Sequence, residues 1–171
     1  MAKIIAICGK ICSGKTYYAN QIKQKENAVV LSCDELTKEL FDNNLGDKHD
    51  EISVKIQKYL IKKSIELVTI GCNVILDWGF WTKEERERTT SYYKDRNIDI
   101  EWRYIDVDLE TWNKNIEERN QRILNGESVY LDFCIWCNAY HKGEGKNNPE
   151  LFGTCPVYLL TTDIDGNSDW A

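Results

Sequence analysis

Short apolar runs of strand length alternate along the chain with segments whose apolar residues recur at helical spacing. Residues 3–8 form a continuous, isoleucine-rich run that stops at Gly9, which is typical of a strand buried on both faces of a parallel sheet. Further runs of strand length follow at residues 28–31, 73–77, 98–107 and 156–160. This alternation predicts an α/β fold with a mostly parallel, five-stranded sheet, helices on both of its faces, and a ligand at the carboxyl ends of the strands.

Local signals predict where the helices begin. Ser32–Glu35 and Thr82–Glu85 have the spacing of capping boxes, and Asp108 can cap a helix that carries an apolar stripe. Helices are therefore predicted near residues 15–25, from residue 33, over 50–70, over 83–96 and from 108 to about 123.

The length and composition of the chain predict one domain with one hydrophobic core and no membrane-spanning segment. The 171 residues, 42% of them hydrophobic, predict a single domain over residues 1–171. Apolar runs such as Ile4–Cys8 are far shorter than the ~20 residues that cross a bilayer, and this run is also shorter than the apolar region of a secretory signal, so we do not expect export. We therefore expect a cytoplasmic protein. Its seven cysteines, an odd number, favour reduced thiols over a disulfide scaffold.

The net charge of the chain restricts the classes of molecule that it is expected to bind. Lys and Arg number 22 and Asp and Glu number 28, so the net charge is 22 − 28 = −6. This charge disfavours an anionic membrane surface and extended contact with nucleic-acid phosphates. We expect a small-molecule partner, with a polynucleotide 5′-end as the nucleic-acid substrate that the charge leaves open.

The first predicted strand leads into a phosphate-binding motif. The motif G-x-x-x-x-G-K-[ST] is matched in full by Gly9, Lys10, Ile11, Cys12, Ser13, Gly14, Lys15 and Thr16. Glycines let backbone N–H groups close around phosphate oxygens, Lys15 reaches the β- and γ-phosphates, and the Thr16 hydroxyl ligates Mg²⁺. A chance match has a frequency on the order of 1%, so ATP and Mg²⁺ are the expected cofactors. The alternative is a glycine-rich turn that only begins a helix.

The motif, together with the stretch from Val74 to Arg86 (VILDWGFWTKEER), resembles the small P-loop kinases. That group includes shikimate kinase, chloramphenicol phosphotransferase, zeta toxins and polynucleotide 5′-kinases, and the stretch is most similar to a kinase-like subgroup of AAA-type ATP-binding proteins. The resemblance extends over residues 3–123. It implies a three-layer P-loop NTPase fold with a helical lid.

Asp34 follows the second predicted strand and is expected at the carboxyl edge of the sheet. In the resembled kinases an aspartate in this place orients and deprotonates the acceptor hydroxyl, which is a general-base role that suits a carboxylate. The alternative is an acidic residue that merely favours the first turn of a helix. Polynucleotide kinases of this type carry Arg three residues later, where this chain has Thr37. A nucleotide acceptor is therefore disfavoured.

Asp77 and two arginines complete the predicted catalytic group. Asp77 ends the third strand, where a carboxylate can hold Mg²⁺ with Thr16 or contact the acceptor; its alternative role is to cap a turn. Arg119 and Arg122 lie where the resembled kinases carry lid arginines, and guanidinium groups suit a transferring phosphoryl. Both arginines could instead form a solvated basic helix end.

Two further sets of residues are candidates for binding. Trp78, Phe80 and Trp81 follow Asp77 and could stack on a flat acceptor, or equally pack in the core. An incomplete set of zinc ligands, without the second paired spacing of a structural site, consists of Cys134, Cys137, His141 and Cys155.

Three classes of function compete: a phosphotransferase, a regulatory GTPase or motor ATPase, and a binding module. A GTPase should carry D-x-x-G after the strand with its Mg²⁺ aspartate, but Asp163–Gly166 lies at the far end, and Asn113–Ile116 lacks the aspartate of N-K-x-D. The sequence favours a P-loop kinase that moves the γ-phosphoryl of Mg-ATP to a hydroxyl of an antibiotic, nucleoside or metabolite. The alternatives are a polynucleotide 5′-hydroxyl kinase and a P-loop ATPase or nucleotide-binding module without an acceptor.

Overall fold

The computed structural model describes residues 1–41, 48–80 and 82–125. In this part of the chain, strands and helices alternate as the sequence predicts. The strands are β1 (Ile4–Gly9), β2 (Ala28–Ser32), β3 (Asn73–Asp77) and β4 (Ile100–Ile105). The helices are α1 (Lys15–Ile22), α2 (Cys33–Phe41), α3 (His49–Thr69), α4 (Lys83–Lys94) and α5 (Leu109–Leu124).

The sheet has the strand order β2-β3-β1-β4, and all of its pairs are parallel. Asp77 at the end of β3 lies in register with Ser32 at the end of β2 and with Ile7 of β1. The predicted parallel sheet is confirmed, and four of its five expected strands fall in the described ranges. The fifth, at residues 156–160, lies outside them.

Helices cover both faces of the sheet. All six residues of β1 are buried, which confirms its prediction as a strand packed on both faces. On one face, Ile5 and Ile7 form a buried cluster with Ala19 and Ile22 of α1. On the opposite face, the indole of Trp102 donates a 2.9 Å hydrogen bond to Thr90 of α4. The α/β class and its three layers are therefore confirmed.

Capping hydrogen bonds are present at three of the predicted helix starts. The Ser32 hydroxyl accepts from the backbone N–H of Glu35 at 3.3 Å, and the Thr82 hydroxyl accepts from that of Glu85 at 3.1 Å. Asp108 accepts at 2.8 Å from the N–H of Thr111. Each cap satisfies one of the N–H groups that a helix leaves without a partner in its first turn.

The chain divides into two compact units. Residues 1–9 and 14–105 belong to the first, which holds the sheet and α1 to α4, and residues 10–13 belong to the second together with α5. A single domain over residues 1–171 stays a prediction. Among the described helices, none combines the length and the apolar character that crossing a bilayer requires.

Candidate functional site

The loop after β1 adopts backbone conformations that favour glycine. Gly9 has a φ of 153° and Gly14 a φ of 91°, and α1 begins directly after Gly14. A Cβ at Gly14 would meet nothing within 4 Å, so the left-handed backbone, rather than lack of space, is what requires glycine there. Gly14 makes no side-chain cap, and the N-terminal turn of a helix is a favourable place for an anion.

Lys15 lies at the start of α1 beside the end of β1. Its Nζ donates to the carbonyl oxygen of Gly9 at 3.1 Å, and its side chain is half-buried. The positive charge of Lys15 also acts on Asp77 and lowers that group's pKa. The first unit thus brings the motif lysine and the strand-end aspartate within electrostatic reach of each other.

Asp77 is a buried carboxylate that the described residues partner incompletely. Its exposed fraction is 4%, it hydrogen-bonds Thr16, and its Oδ2 has no hydrogen-bond partner in the described ranges. Burial is the main cause of its raised pKa, which the Thr16 hydrogen bond and Lys15 counteract. An orphaned buried carboxylate oxygen costs stability, and a divalent cation is the kind of ligand that would satisfy it. Thr16 and Asp77 therefore fit Mg²⁺.

Asp34 lies near this carboxylate but in a different environment. It is exposed in the first turn of α2, and its negative charge helps to raise the pKa of Asp77. Burial, and then the charges of Asp34, Asp77 and Glu85, raise the pKa of the Cys33 thiol to about 12. The charges of these three carboxylates therefore all act on one half-buried thiol directly after β2, where the sequence places the acceptor side of the site.

The second unit holds the remaining residues of the motif against α5. The Trp112 indole donates to the carbonyl of Ile11 at 2.7 Å, and the Asn115 amide donates to that of Cys12 at 2.9 Å. The Arg119 Nη1 lies 3.4 Å from the Cys12 sulfur and donates to it. Three side chains of one helix face thus bind two successive residues of the loop.

Lys10 and Ser13 of the motif and Arg122 of α5 complete the predicted residues of the second unit. The Lys10 ammonium lies 5.4 Å from the centre of the Trp112 ring. Ser13 is buried, and its hydroxyl has no hydrogen-bond partner in the described ranges. Arg122 is exposed in the last turn of α5. A role of Arg119 and Arg122 at the transferring phosphoryl stays a prediction.

Two of the three candidate acceptor aromatics are buried. Trp78 is 6% exposed and Phe80 is 1% exposed, with their ring centres 5.1 Å apart. Phe80 also packs edge-on against Trp102 at 4.9 Å. These contacts favour core packing over stacking on an acceptor, while Trp81 lies outside the described residues. Sequence spacing cannot separate the two alternatives, because a ring that lines a pocket and a ring in the core have the same pattern.

The four candidate zinc ligands, Cys134, Cys137, His141 and Cys155, also lie outside the described residues. Within the described ranges, no group of three or more His, Cys, Asp or Glu side chains could hold a metal ion. A Mg²⁺ ion at Thr16 and Asp77 would therefore take its remaining ligands from nucleotide phosphates and water.

Two features of the site are absent from the sequence-based expectations. Trp112 and Asn115 bind the loop carbonyls, and their spacing of seven and four residues from Arg119 along one helix face is a signal that could have indicated them. Arg86 is the second: its Nη1 donates to the Phe80 carbonyl at 3.1 Å. No local pattern indicates that contact.

Comparisons with known proteins agree with this fold. A chain of the Pnkp1/Rnl/Hen1 RNA repair complex is 23% identical over 69% of this chain, with a TM-score of 0.59; this chain covers 37% of it. The Mycobacterium tuberculosis APS kinase CysC, in complex with AMPPNP and APS, is 20% identical, with 74% and 76% of the two chains covered and a TM-score of 0.56. At these identities the likeness shows the fold, and it confirms the predicted P-loop kinase architecture.

Two matches at the level of sequence complete the comparison. A curated relative, an uncharacterized protein of Methanocaldococcus jannaschii, is 46% identical over 37 residues, which are 22% of this chain and 6% of that protein. The family described as an AAA domain, AAA_33, matches residues 4–130, which is most of the 171-residue chain. The chain therefore belongs to the AAA_33 family, whose members are P-loop kinase-like proteins.

Proposed function

We propose that this protein is a P-loop kinase that transfers the γ-phosphoryl of Mg-ATP to a hydroxyl of a small molecule. The observation that carries the proposal is Asp77. It is buried, bonded to Thr16, incompletely partnered, and within reach of the charges of Lys15 and Asp34. The residues to which we assign the metal, the phosphate and the base therefore belong to one end of a parallel sheet, where such folds bind their ligands.

The start of α1 supports nucleotide binding. The positive end of the helix and the backbone N–H groups after Gly14 can bind phosphate oxygens, and Lys15 adds a full positive charge beside them. The residues that would hold Mg²⁺ are Thr16 and Asp77. When bound, Mg²⁺ neutralises charge on the phosphates as the transfer proceeds.

Asp34 supports a phosphotransferase over a protein that only binds nucleotide. It is exposed, so an acceptor can reach it, whereas Asp77 is buried. In the proposed reaction, the acceptor oxygen bonds to the γ-phosphorus and its proton passes to the Asp34 carboxylate. The bond from the γ-phosphorus to the bridging oxygen breaks, ADP leaves, and Asp34 later releases its proton to water.

The acceptor class rests on charge. Thr37 stands where the resembled polynucleotide kinases carry Arg, and its hydroxyl donates to the Cys33 carbonyl at 2.9 Å within α2. The negative charges of carboxylates that include Asp34 and Glu85 act on the nearby Cys33 thiol. These features favour a hydroxyl on an antibiotic, a nucleoside or a metabolite over an acceptor that must be bound through a phosphate.

A polynucleotide 5′-hydroxyl kinase is the second candidate. The observation that favours it is the likeness to a chain of an RNA repair complex. A P-loop ATPase or binding module without an acceptor is the third.

An acceptor screen tests all three. ADP formation from Mg-ATP is measured for wild type and Asp34→Asn with aminoglycosides and other hydroxyl-bearing antibiotics, nucleosides, sugars and 5′-hydroxyl oligonucleotides. We expect one small-molecule class to stimulate wild type at least tenfold and to leave Asp34→Asn unstimulated. Stimulation by oligonucleotides alone would establish the second candidate, and hydrolysis that no acceptor raises would establish the third.

A further inference from the structure

Arg86 is a half-buried arginine in the first turn of α4. Its backbone N–H bonds to the Thr82 carbonyl at 3.2 Å, and its Nη1 donates to the Phe80 carbonyl at 3.1 Å. Phe80 has a positive φ of 50°, so the connection between β3 and α4 bends just where the guanidinium holds it. The guanidinium is thereby fixed close to the carboxyl end of β3.

The first turn of α4 directs its charges to two different strands. Burial raises the pKa of the Cys8 thiol, and the positive charges of Arg86 and Lys15 both counteract that rise. Cys8 directly precedes Gly9 at the end of β1. Glu85, the preceding residue in α4, instead bonds to Gln57 of α3 at 3.1 Å and acts on Cys33 after β2.

This division follows from helix geometry. Consecutive residues of an α-helix project about 100° apart, so Glu85 and Arg86 cannot both face the same strand end. The Glu85 carboxylate bonds to Gln57 and its charge acts on Cys33, whereas the charge of Arg86 acts on Cys8. Because β3 and β1 are neighbouring parallel strands, Arg86 beside Phe80 and Lys15 beside Gly9 place two cations, from α4 and α1, at adjacent strand ends.

We propose that Arg86 binds the γ-phosphoryl group of the nucleotide beside Lys15. The inference rests on the proposed function, because it requires the γ-phosphate to lie next to Lys15. A guanidinium presents its donors in a planar fork that matches phosphoryl oxygens, and the Phe80 carbonyl holds one nitrogen of that fork in place before the nucleotide arrives. The competing role is structural: Arg86 would then only hold the connection between β3 and α4.

A comparison of ATP with ADP, which lacks the γ-phosphate, separates a role in binding from a structural role of Arg86. Calorimetric titration with Mg-ATP and with Mg-ADP is compared for wild type, Arg86→Gln and Arg86→Lys. The matched control is Arg88→Gln, an exposed arginine of the same helix. We expect Arg86→Gln to bind ADP within twofold of wild type and to bind ATP about tenfold more weakly, which corresponds to ~1.4 kcal/mol. Arg86→Lys should fall in between, since it keeps the charge and loses the fork.

An ATP-to-ADP affinity ratio in Arg86→Gln and Arg86→Lys that equals the wild-type ratio would overturn the proposal, whatever happens to the melting temperature. If the glutamine variant does not fold, the ratio in the lysine variant decides. Lys15→Ala distinguishes this failure from failure of the proposed function. Loss of ATP binding in Lys15→Ala with an unchanged ratio in the Arg86 variants overturns the role of Arg86 alone, whereas unchanged ATP binding in Lys15→Ala overturns both.

Discussion

Two groups of charged side chains in the first unit differ in how completely the protein itself partners them. Arg103 on β4 bonds to Glu101 at 2.6 Å, to Glu26 at 2.7 Å and to the Tyr18 hydroxyl at 3.3 Å. Glu101 also accepts from Lys3, so this ion network is satisfied by the chain alone. Asp77 is more deeply buried, yet one of its oxygens has no hydrogen-bond partner in the described ranges.

The difference indicates what each group contributes. Charges that pair with one another stabilise the folded state and need no ligand. A buried oxygen without a partner costs about 1–3 kcal/mol or more in the ligand-free protein, which is acceptable where a ligand later satisfies it. Substitutions in the network should therefore change stability and leave activity intact, whereas substitutions around Asp77 should do the reverse.

The largest effect is expected at Lys15. Lys15→Ala should lower ATP turnover by at least ~10³-fold, because the ammonium is the charge that the motif supplies for the phosphates, and it also acts on Asp77. Melting should remain cooperative, as the side chain is half-buried at a helix start and not in the core. Turnover and thermal melting are measured together, with the exposed Lys25→Ala as the matched control. Equal turnover in both variants would contradict the P-loop assignment.

A smaller loss is expected at Asp34. Asp34→Asn should lower phosphoryl transfer by ~10²-fold or more, since a positioned general base contributes about 10²–10⁴-fold. ATP affinity should stay within a few-fold, because Asp34 lies on α2 rather than at the start of α1. Single-turnover transfer is the measurement, and Glu39→Gln, exposed on the same helix, is the control. Wild-type transfer in Asp34→Asn would reduce Asp34 to a residue that favours a helix start.

Asp77→Asn tests the comparison most directly, because it replaces one carboxylate oxygen by an NH₂ group and removes the buried negative charge. We expect ATP affinity to lose most of its dependence on Mg²⁺, while the melting temperature in EDTA stays the same or rises. The reason is that the substitution removes the negative charge of Asp77, which is unfavourable in a buried position. The asparagine side chain can still hydrogen-bond to Thr16. Calorimetry with and without Mg²⁺, and melting in EDTA, test both halves. A clear fall in stability would show that Asp77 serves the fold.

The elements of the fold were predictable because their signals are local. The buried run of β1 and the caps at Ser32 and Thr82 can be found from spacing alone, and the structure places each where it was expected. Contacts between distant residues have no such signal. The indole of Trp112 bonds to Ile11 at a separation of 101 residues, and only folding reveals that contact.

The candidate site was predictable to the same extent. The motif and the aspartates that end strands follow from position along the chain, since the carboxyl ends of parallel strands meet at one edge. The burial of Asp77 and the hydrogen bond from Arg86 to Phe80 depend on how the elements pack together, which periodicity does not specify. The same limit explains why the burial of Trp78 and Phe80 was one of two open alternatives.

On the other side of the comparison, Arg103→Leu should lower the free energy of unfolding by about 1–3 kcal/mol. The substitution leaves Glu26, whose side chain is 19% exposed, without its arginine partner, and a half-buried pair lies between the exposed and buried cases. ATP turnover at a temperature well below melting should be unchanged. Urea unfolding and turnover are measured on the same samples. A loss of turnover without a loss of stability would break the distinction between the two groups.

The smallest effect is the pH dependence of the ion network. Hydrogen bonds from Arg103 and then Lys3 lower the pKa of Glu101 below its usual value. A carboxyl whose pKa is lower in the folded state adds stability above its unfolded pKa of ~4.3, and that stability is lost as pH falls through the folded value. The side chain is 40% exposed, so solvent screening limits the effect to below ~1 kcal/mol.

Glu101→Gln should therefore be slightly less stable than wild type at pH 7, and the gap in unfolding free energy between the two proteins should close as pH falls below ~4.3. Urea unfolding at several pH values measures the gap, and Glu87→Gln, exposed on α4, controls for the general effect of removing a surface carboxylate. A gap that is constant with pH would mean that the lost contacts of Glu101 depend on its shape and not on its charge.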